Sequence, residues 1–151
     1  MLKPYVFAVC EKVLLDANGV ASLIALFTQV DAHRLASSTE TVPHNAVVPM
    51  SWFVFTSWQH DPEDVGKEFC QVTQILYPDG SIFQEHSEKF EPQIGKTHYQ
   101  VTLNMLGFPI GQEGNYQVRM KLNQNGATLF ESESIKIIVK HHLVSSGQAN
   151  P

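Results

Sequence analysis

The stretch Gly114–Asn123, GNYQVRMKLN, decides the fold class, because apolar and polar residues alternate along it without interruption. The apolar residues that share one side of it are Tyr116, Val118, Met120 and Leu122. A period of two is typical of a β-strand with one buried and one solvated face. Asn125–Gly126 provides the positive-φ residues of a tight turn, and a return strand Ala127–Lys140 ends in Ile135, Ile137 and Val139, which alternate with Lys136. We therefore predict an antiparallel β-hairpin.

Further stretches of this kind, separated by turn residues, recur along the chain. We predict the remaining strands at Tyr5–Leu15, Val20–Val30, Met50–Trp58, Glu68–Tyr77, Ser81–Phe90 and His98–Met105. About eight strands without a long helix are typical of a sandwich or a barrel. Gly114–x–Tyr116 favours the sandwich, since immunoglobulin-like domains carry a Tyr there whose hydroxyl bonds to nearby backbone. The predicted fold is an all-β, single antiparallel β-sandwich, immunoglobulin-like or similar.

Three stretches have a distinct character within this fold. Tyr5–Leu15 is apolar on both faces, which predicts a central strand covered on both sides. Ser81–Phe90 is rich in charged residues, which predicts an edge strand. Asp31–Pro49 predicts a long irregular loop. We place the domain at residues 1–140 and expect residues 141–151 to form a flexible polar tail.

Length and composition exclude several classes of protein. The 151 residues correspond to one domain. A formal charge of −5 disfavours binding to nucleic acid or to an anionic membrane, and no apolar run has membrane-spanning length. Cys10 and Cys70 lie in predicted strands, where a free thiol behaves as a small apolar side chain. The sequence is compatible both with two free thiols and with a disulfide between them. Because no signal-peptide pattern is present, we expect a cytoplasmic protein, or one exported only by a route that needs no cleaved signal.

Several short motifs follow one another in a suggestive order between residues 5 and 140. They comprise Cys10, Asp16, Gly19, Ser22, Leu23, Phe27, Pro78–Asp79–Gly80, Gly114, Tyr116 and Asn125–Gly126. In this order they resemble a family of small bacterial proteins that is catalogued only as a domain of unknown function. The resemblance implies a small β protein and leaves its activity open.

His60, Asp61, Glu63 and Asp64 form the densest cluster of potential metal ligands. Carboxylates in loops at one end of a sandwich can hold a hard cation such as Ca²⁺. Helix capping explains the same residues, with Asp61 as N-cap, Pro62 as the first helical residue and Asp64 as the acidic partner. We favour the capping interpretation and expect neither a metal nor another cofactor.

His86 and Glu88 lie two positions apart and therefore on the same face of a predicted strand. Such a pair could serve acid–base catalysis, although a solvated edge strand explains both residues without it. The chain contains no Gly-x-Ser-x-Gly nucleophile motif and no phosphate-binding glycine loop. We expect no catalytic residues.

Phe108 and Ile110 stand in an apolar loop between Gly107 and Gly111. Such a loop either plugs one end of the sandwich or presents a contact to another protein. In the second case these two residues are the candidate interaction site.

The main functional hypothesis is a non-enzymatic protein-interaction module, which binds a protein partner or a second copy through loops or an edge strand. The first alternative is a metal-dependent or acid–base enzyme that uses one of the two polar clusters. The second alternative is a carbohydrate-binding sandwich with Trp52 or Trp58 as a stacking platform. It requires those rings to be exposed, whereas their alternation with apolar residues predicts burial.

Overall fold

Ten β-strands make up the part of the chain that the computed structural model describes, residues 1–35 and 41–144. In chain order they are β1 (Lys3–Leu15), β2 (Ala21–Leu26), β3 (Gln29–Leu35), β4 (Val47–Gln59), β5 (Phe69–Leu76), β6 (Ile82–Phe90), β7 (His98–Pro109), β8 (Gly114–Gln124), β9 (Ala127–Glu131) and β10 (Ile135–Val144). One turn of 3-10 helix, Pro62–Asp64, lies between β4 and β5. Within these residues, no helix has the length and apolar character needed to cross a membrane.

The strands form two packed sheets, which confirms the predicted β-sandwich. The four-stranded sheet has the order β2-β1-β4-β7. The six-stranded sheet has the order β3-β10-β8-β5-β6, and β9 pairs with β8 on the same side as β10. Among the described strands, β3 and β10 alone are parallel neighbours. The sandwich has two strands more than predicted, because two predicted return strands each divide.

The predicted strand Val20–Val30 is wrong as a single element. Its halves, β2 and β3, belong to different sheets, and the chain crosses between them at Phe27–Thr28. Ala25 has a φ of 57°, which interrupts the extended backbone just before the crossing. Strand β3 also occupies the beginning of the stretch predicted as an irregular loop. Residues 36–40 of that stretch lie outside the described residues.

The predicted strand Ala127–Lys140 also divides, into β9 and β10. Between them Ser132 bonds to Met120 of β8 twice, donating its backbone N–H to the Met120 carbonyl and accepting the Met120 N–H at its hydroxyl, each at 2.9 Å. Strand β10 then continues to Val144, so residues 141–144 belong to the sheet and not to the predicted tail. Residues 145–151 of that tail lie outside the described residues.

The alternation in β8 is confirmed residue by residue. The apolar members of the strand are at most 1% exposed, whereas Gln117, Arg119 and Lys121 are half-buried on the outer side. The Tyr116 hydroxyl donates to the carbonyl oxygen of Gln112 and accepts from its backbone N–H, both at 3.0 Å. The hydroxyl-to-backbone bond expected from Gly114–x–Tyr116 is therefore present.

A buried polar network joins the two sheets. Gln71 on β5 is 1% exposed, and its side-chain carbonyl accepts the indole N–H of Trp58 on β4 at 2.7 Å. Its amide group donates to the hydroxyls of Thr56, also on β4, at 3.2 Å and of Thr73 at 3.1 Å. Because both amide hydrogens are used, this polar side chain is satisfied inside an apolar core. The network therefore fixes where one sheet lies over the other.

Asp79 connects the β5–β6 turn to the loop before β8. Its Oδ1 accepts from the Ser81 backbone N–H at 2.8 Å and hydroxyl at 2.6 Å, and its Oδ2 accepts from the Gln112 side-chain amide at 2.8 Å. These hydrogen bonds, led by that from the Ser81 hydroxyl, lower the pKa of Asp79 to about 2.

Replacing Gln71 with Leu should destabilise the fold, because Trp58 loses its buried acceptor. We expect the free energy of unfolding to fall by about 1–3 kcal/mol, the usual effect of an unsatisfied buried donor. Urea denaturation measures the change. Gln84→Leu, at an exposed position of β6, is the matched control and should stay within about 0.5 kcal/mol of the parent chain. Equal stability of the two variants would contradict the role of the network.

Stability should also depend on Asp79 in acid. Because its folded pKa lies below the ordinary value of about 3.9, its contribution is present above about pH 4 and is lost as the pH falls toward 2. The difference in melting temperature between the parent chain and Asp79→Asn should therefore shrink across that range. Glu91→Gln, at an exposed carboxylate with no hydrogen-bond partner among the described residues, is the control. A pH-independent difference for Asp79→Asn would refute the assignment.

Candidate interaction site

Phe108 and Ile110 do not form an exposed contact. Phe108 is 0% exposed and packs against Phe27, Trp52 and Tyr116, with ring centroids 5.2–6.2 Å apart. Ile110 is half-buried against the core, and its backbone N–H bonds to the carbonyl of residue 46 at 2.9 Å. The prediction of an interaction site at these two residues is thus wrong, because Phe108, at the end of β7, and Ile110, just after it, pack inward at one end of the sandwich.

The backbone around this plug leaves no room for a side chain. A Cβ atom added at Gly111 would lie 1.9 Å from the carbonyl oxygen of His44, so only glycine allows the two segments to approach this closely. The His44 ring stacks on Tyr77, with centroids 4.4 Å apart, and the Tyr77 hydroxyl donates to the same His44 carbonyl at 3.2 Å. The described residues at this end of the sandwich are therefore closely packed.

Three carboxylates of the candidate metal cluster converge on an amino group. The Met1 ammonium lies 2.5 Å from Asp61, 3.3 Å from Glu63 and 3.3 Å from Asp64. The hydrogen bond to Asp61 raises the pKa of that amino group to about 10, and it lowers the pKa of Asp61. Asp64 also accepts the Asp61 backbone N–H at 3.0 Å, and Pro62 starts the helical turn, as the capping interpretation predicts, while the Asp61 carboxylate itself binds the Met1 ammonium.

His60, the fourth member of that cluster, is 7% exposed. Its backbone N–H donates to Thr97 at 3.0 Å, and its ring Nδ1 lies 3.4 Å from the Asp61 carbonyl. Over the described ranges, no group of three or more His, Cys, Asp or Glu side chains is arranged to hold a metal ion. The geometry thus lends the metal hypothesis no support.

His86 and Glu88 do meet, with Nε2 and Oε2 3.6 Å apart on β6. Their side chains are 47% and 45% exposed, so solvent surrounds the pair. A general acid–base catalyst works at a positioned substrate in a site that restricts water, which an open strand surface does not provide. Trp52 and Trp58 are both 0% exposed, so neither can stack on a carbohydrate.

One side of β7 has no strand neighbour among the described residues, while the other side pairs with β4. Along this strand, Val101, Leu103 and Met105 are buried in the sandwich. Thr102 and Leu106 are exposed on the outer face, Leu106 by 83%. An unpaired strand presents a row of backbone N–H and C=O groups, which is a template for a further strand.

The other outer strands of the two sheets carry features that discourage pairing. Strand β6, confirmed as the predicted edge, carries charges such as Glu88 and Lys89, and β3 carries Asp31 and Arg34. Strand β2 has only six residues and is interrupted at Ala25. Strand β7 has twelve residues, no Asp, Glu, Lys or Arg, and no proline before Pro109; its regular extended stretch, residues 98–106, ends at Gly107, which has a φ of 83°. It is the long unprotected edge of the described sandwich.

The β1–β2 hairpin bends back over the outer face of the four-stranded sheet, beside the start of β7. The Gln100 side-chain amide donates to the Gly19 carbonyl at 3.3 Å. A cleft of about 440 Å³ lies between hairpin and sheet, lined mainly by Tyr5, Val6, Val20, Leu23, Phe55 and His98. Tyr5 is 69% exposed, with its ring edge-on to His98 at 5.1 Å, so the prediction that β1 is covered on both sides is wrong here.

The edge of β7 is a candidate site that the sequence predictions missed. The absence of charge from His98–Pro109, in contrast to the charged Ser81–Phe90, was the available signal. Alternation shows which residues of a strand face the core, but the strand order decides which strand lies outermost. That order depends on contacts between distant segments.

No protein-family model matches the sequence, and no curated protein matches it. Among solved structures, the chain is similar to part of a glycosyl hydrolase family 2 member from Bacteroides cellulosilyticus, with 18% identity and a TM-score of 0.49. The aligned region covers 67% of this chain and 14% of that chain. At this level of similarity, nothing about the function of that protein extends to this one. The resemblance to the uncharacterised bacterial family stays a prediction.

Proposed function

We propose that this β-sandwich is a non-enzymatic interaction module that binds another polypeptide along the free edge of β7. The observation that carries the proposal is the combination of twelve residues, no charged side chain and no neighbour on one side of the strand among the described residues. Natural sheets usually protect such an edge by charge, proline or a short strand. An edge left without these features is suited to pairing.

The mode of binding is the addition of a strand to the sheet. The backbone of an extended segment pairs with the unpaired groups of β7, which provides affinity, and side chains at alternate positions provide specificity. On the outer face, Leu106 offers an apolar contact, while Thr102 and Asn104 offer polar ones. On the inner side, the incoming strand extends the apolar surface that Val101 and Leu103 already occupy.

Carbohydrate binding is the second candidate function, and Tyr5 is the residue that favours it. Its exposed ring adjoins a polar groove formed by Lys96, Thr97, His98 and Gln100. An aromatic face beside amide and hydroxyl groups suits a sugar. Loss of oligosaccharide binding in Tyr5→Ala, measured on a glycan array, would establish this function, whereas a parent chain that binds no glycan eliminates it.

A cytoplasmic location is also part of the proposal. Cys10 and Cys70 are free thiols, and they lie on strands of different sheets. Burial raises the pKa of the Cys10 thiol, which keeps it in the unreactive protonated form. Two free cysteines suit a reducing compartment.

A charge on the edge of β7 should abolish binding of an extended segment. We expect a displayed library of random peptides to yield binders with alternating apolar residues on the parent chain, and affinity for these peptides to fall at least about tenfold in Thr102→Lys, since an edge lysine opposes pairing. Ser87→Lys places the same charge on the β6 edge and should bind like the parent. Equal binding by Thr102→Lys would reject the β7 edge as the site.

A further inference from the structure

The structure points to β7 of a second copy as the strand that occupies this edge. We infer that two copies pair their β7 strands antiparallel about a two-fold axis, which joins two four-stranded sheets into one continuous sheet. The inference rests on the proposed function, because it names the partner at the same site. Its grounds are the charge pattern of the long outer strands β3, β6 and β7 and the self-complementarity of β7.

Charge distinguishes β7 from the other long edges. A strand that pairs with its own copy must bury part of every side chain along it, and a charge loses hydration in the process. On β6, Lys89 already binds Glu68 at 2.9 Å, and Glu85 accepts the Gln74 side-chain amide. On β3, Asp31 already binds His142 at 2.7 Å. Self-pairing at those edges would disturb existing contacts of charged groups, whereas β7 has no charged side chain to dehydrate.

The side chains of β7 are complementary to themselves. A two-fold axis perpendicular to the sheet places the inner faces of both copies on the same side of the joined sheet. If the axis passes at Thr102, that residue faces Thr102 of the second copy. Gln100, whose side-chain amide donates to the Gly19 carbonyl within its own copy, lies opposite Asn104 of the second copy on the outer side. On the inner side, Val101 faces Leu103 of the second copy. Thr–Thr pairs and apolar pairs are favourable neighbours across strands.

The arrangement also predicts the strength of association. One added strand pair buries less surface than the roughly 1,200–2,000 Å² of a typical stable interface. The dimer should therefore dissociate on dilution in the micromolar range, about 10⁻⁶ M, and not behave as a permanent complex. Because the two Thr102 side chains lie on the axis, a charge at this position meets its own copy.

Analytical ultracentrifugation over a dilution series tests the inference. The parent chain and Ser87→Lys should show the same monomer–dimer equilibrium, since β6 takes no part. Thr102→Lys and Thr102→Glu, each alone, should dimerise at least about tenfold more weakly, because like charges oppose each other on the axis. An equimolar mixture of these two variants should recover dimers that contain one copy of each.

The inference is overturned by a parent chain that is monomeric throughout, by a Thr102→Lys variant that dimerises like the parent, or by a mixture that gains no heterodimer. A monomeric parent chain that still binds selected peptides in a Thr102-dependent manner removes only the self-pairing and leaves the proposed function standing. Dimers that Ser87→Lys disrupts would place the contact on β6 and refute the assignment to β7. Circular dichroism of each variant confirms that the fold is retained.

Discussion

The buried amide of Gln71 is the contact on which the arrangement of the two sheets depends. Hydrophobic burial holds the sheets together but is not directional, so it permits many relative positions. The three hydrogen bonds of this amide permit only a few relative positions of the sheets, because Trp58 and Thr56 on one sheet must lie 2.7–3.2 Å from Gln71 on the other. Displacement of either sheet would leave buried polar groups unpaired. A specific polar contact thus sets the geometry that the apolar core stabilises.

With β4 held in this way, the rest of the four-stranded sheet follows. Strand β7 pairs with β4 along its whole length, from the residue pair Val47 and Pro109 to the residue pair Gln59 and His98. This longest ladder of the four-stranded sheet sets the outer position of β7. The last residues of β7 close one end of the sandwich through Phe108, and the hairpin of β1 and β2 covers part of the outer face. The outer side of β7 has no strand neighbour among the described residues. The proposed binding function is therefore a property of the architecture and not of a cluster of reactive side chains.

Local pattern was sufficient to predict the features that depend on neighbouring residues. Alternation predicted the buried face of β8, Gly114–x–Tyr116 predicted the hydroxyl bond to the backbone, and Asp61 with Asp64 predicted the cap. The crossing at Phe27 and the division at Ser132 escaped prediction, because each follows from which distant strand offers a partner. Gln71 escaped for the same reason, since nothing beside it in the chain shows that Trp58 lies across the core. The outer position of β7 likewise depends on the order of the strands in the sheet, which the alternation of residues does not predict.

The parallel pairing of β3 with β10 has a consequence for how the chain acquires its structure. Strand β10 lies between β3 and β8, so the final described strand is an interior member of its sheet. During synthesis, β3 has no strand partner until more than one hundred later residues have left the ribosome. The contact of Asp31 with His142, 111 residues apart, shows this separation. Contacts of such long sequence separation slow folding and prolong the exposure of unpaired backbone. A nascent chain that stops before Ile135 leaves β3 in solvent, where chaperones and proteases recognise incomplete proteins.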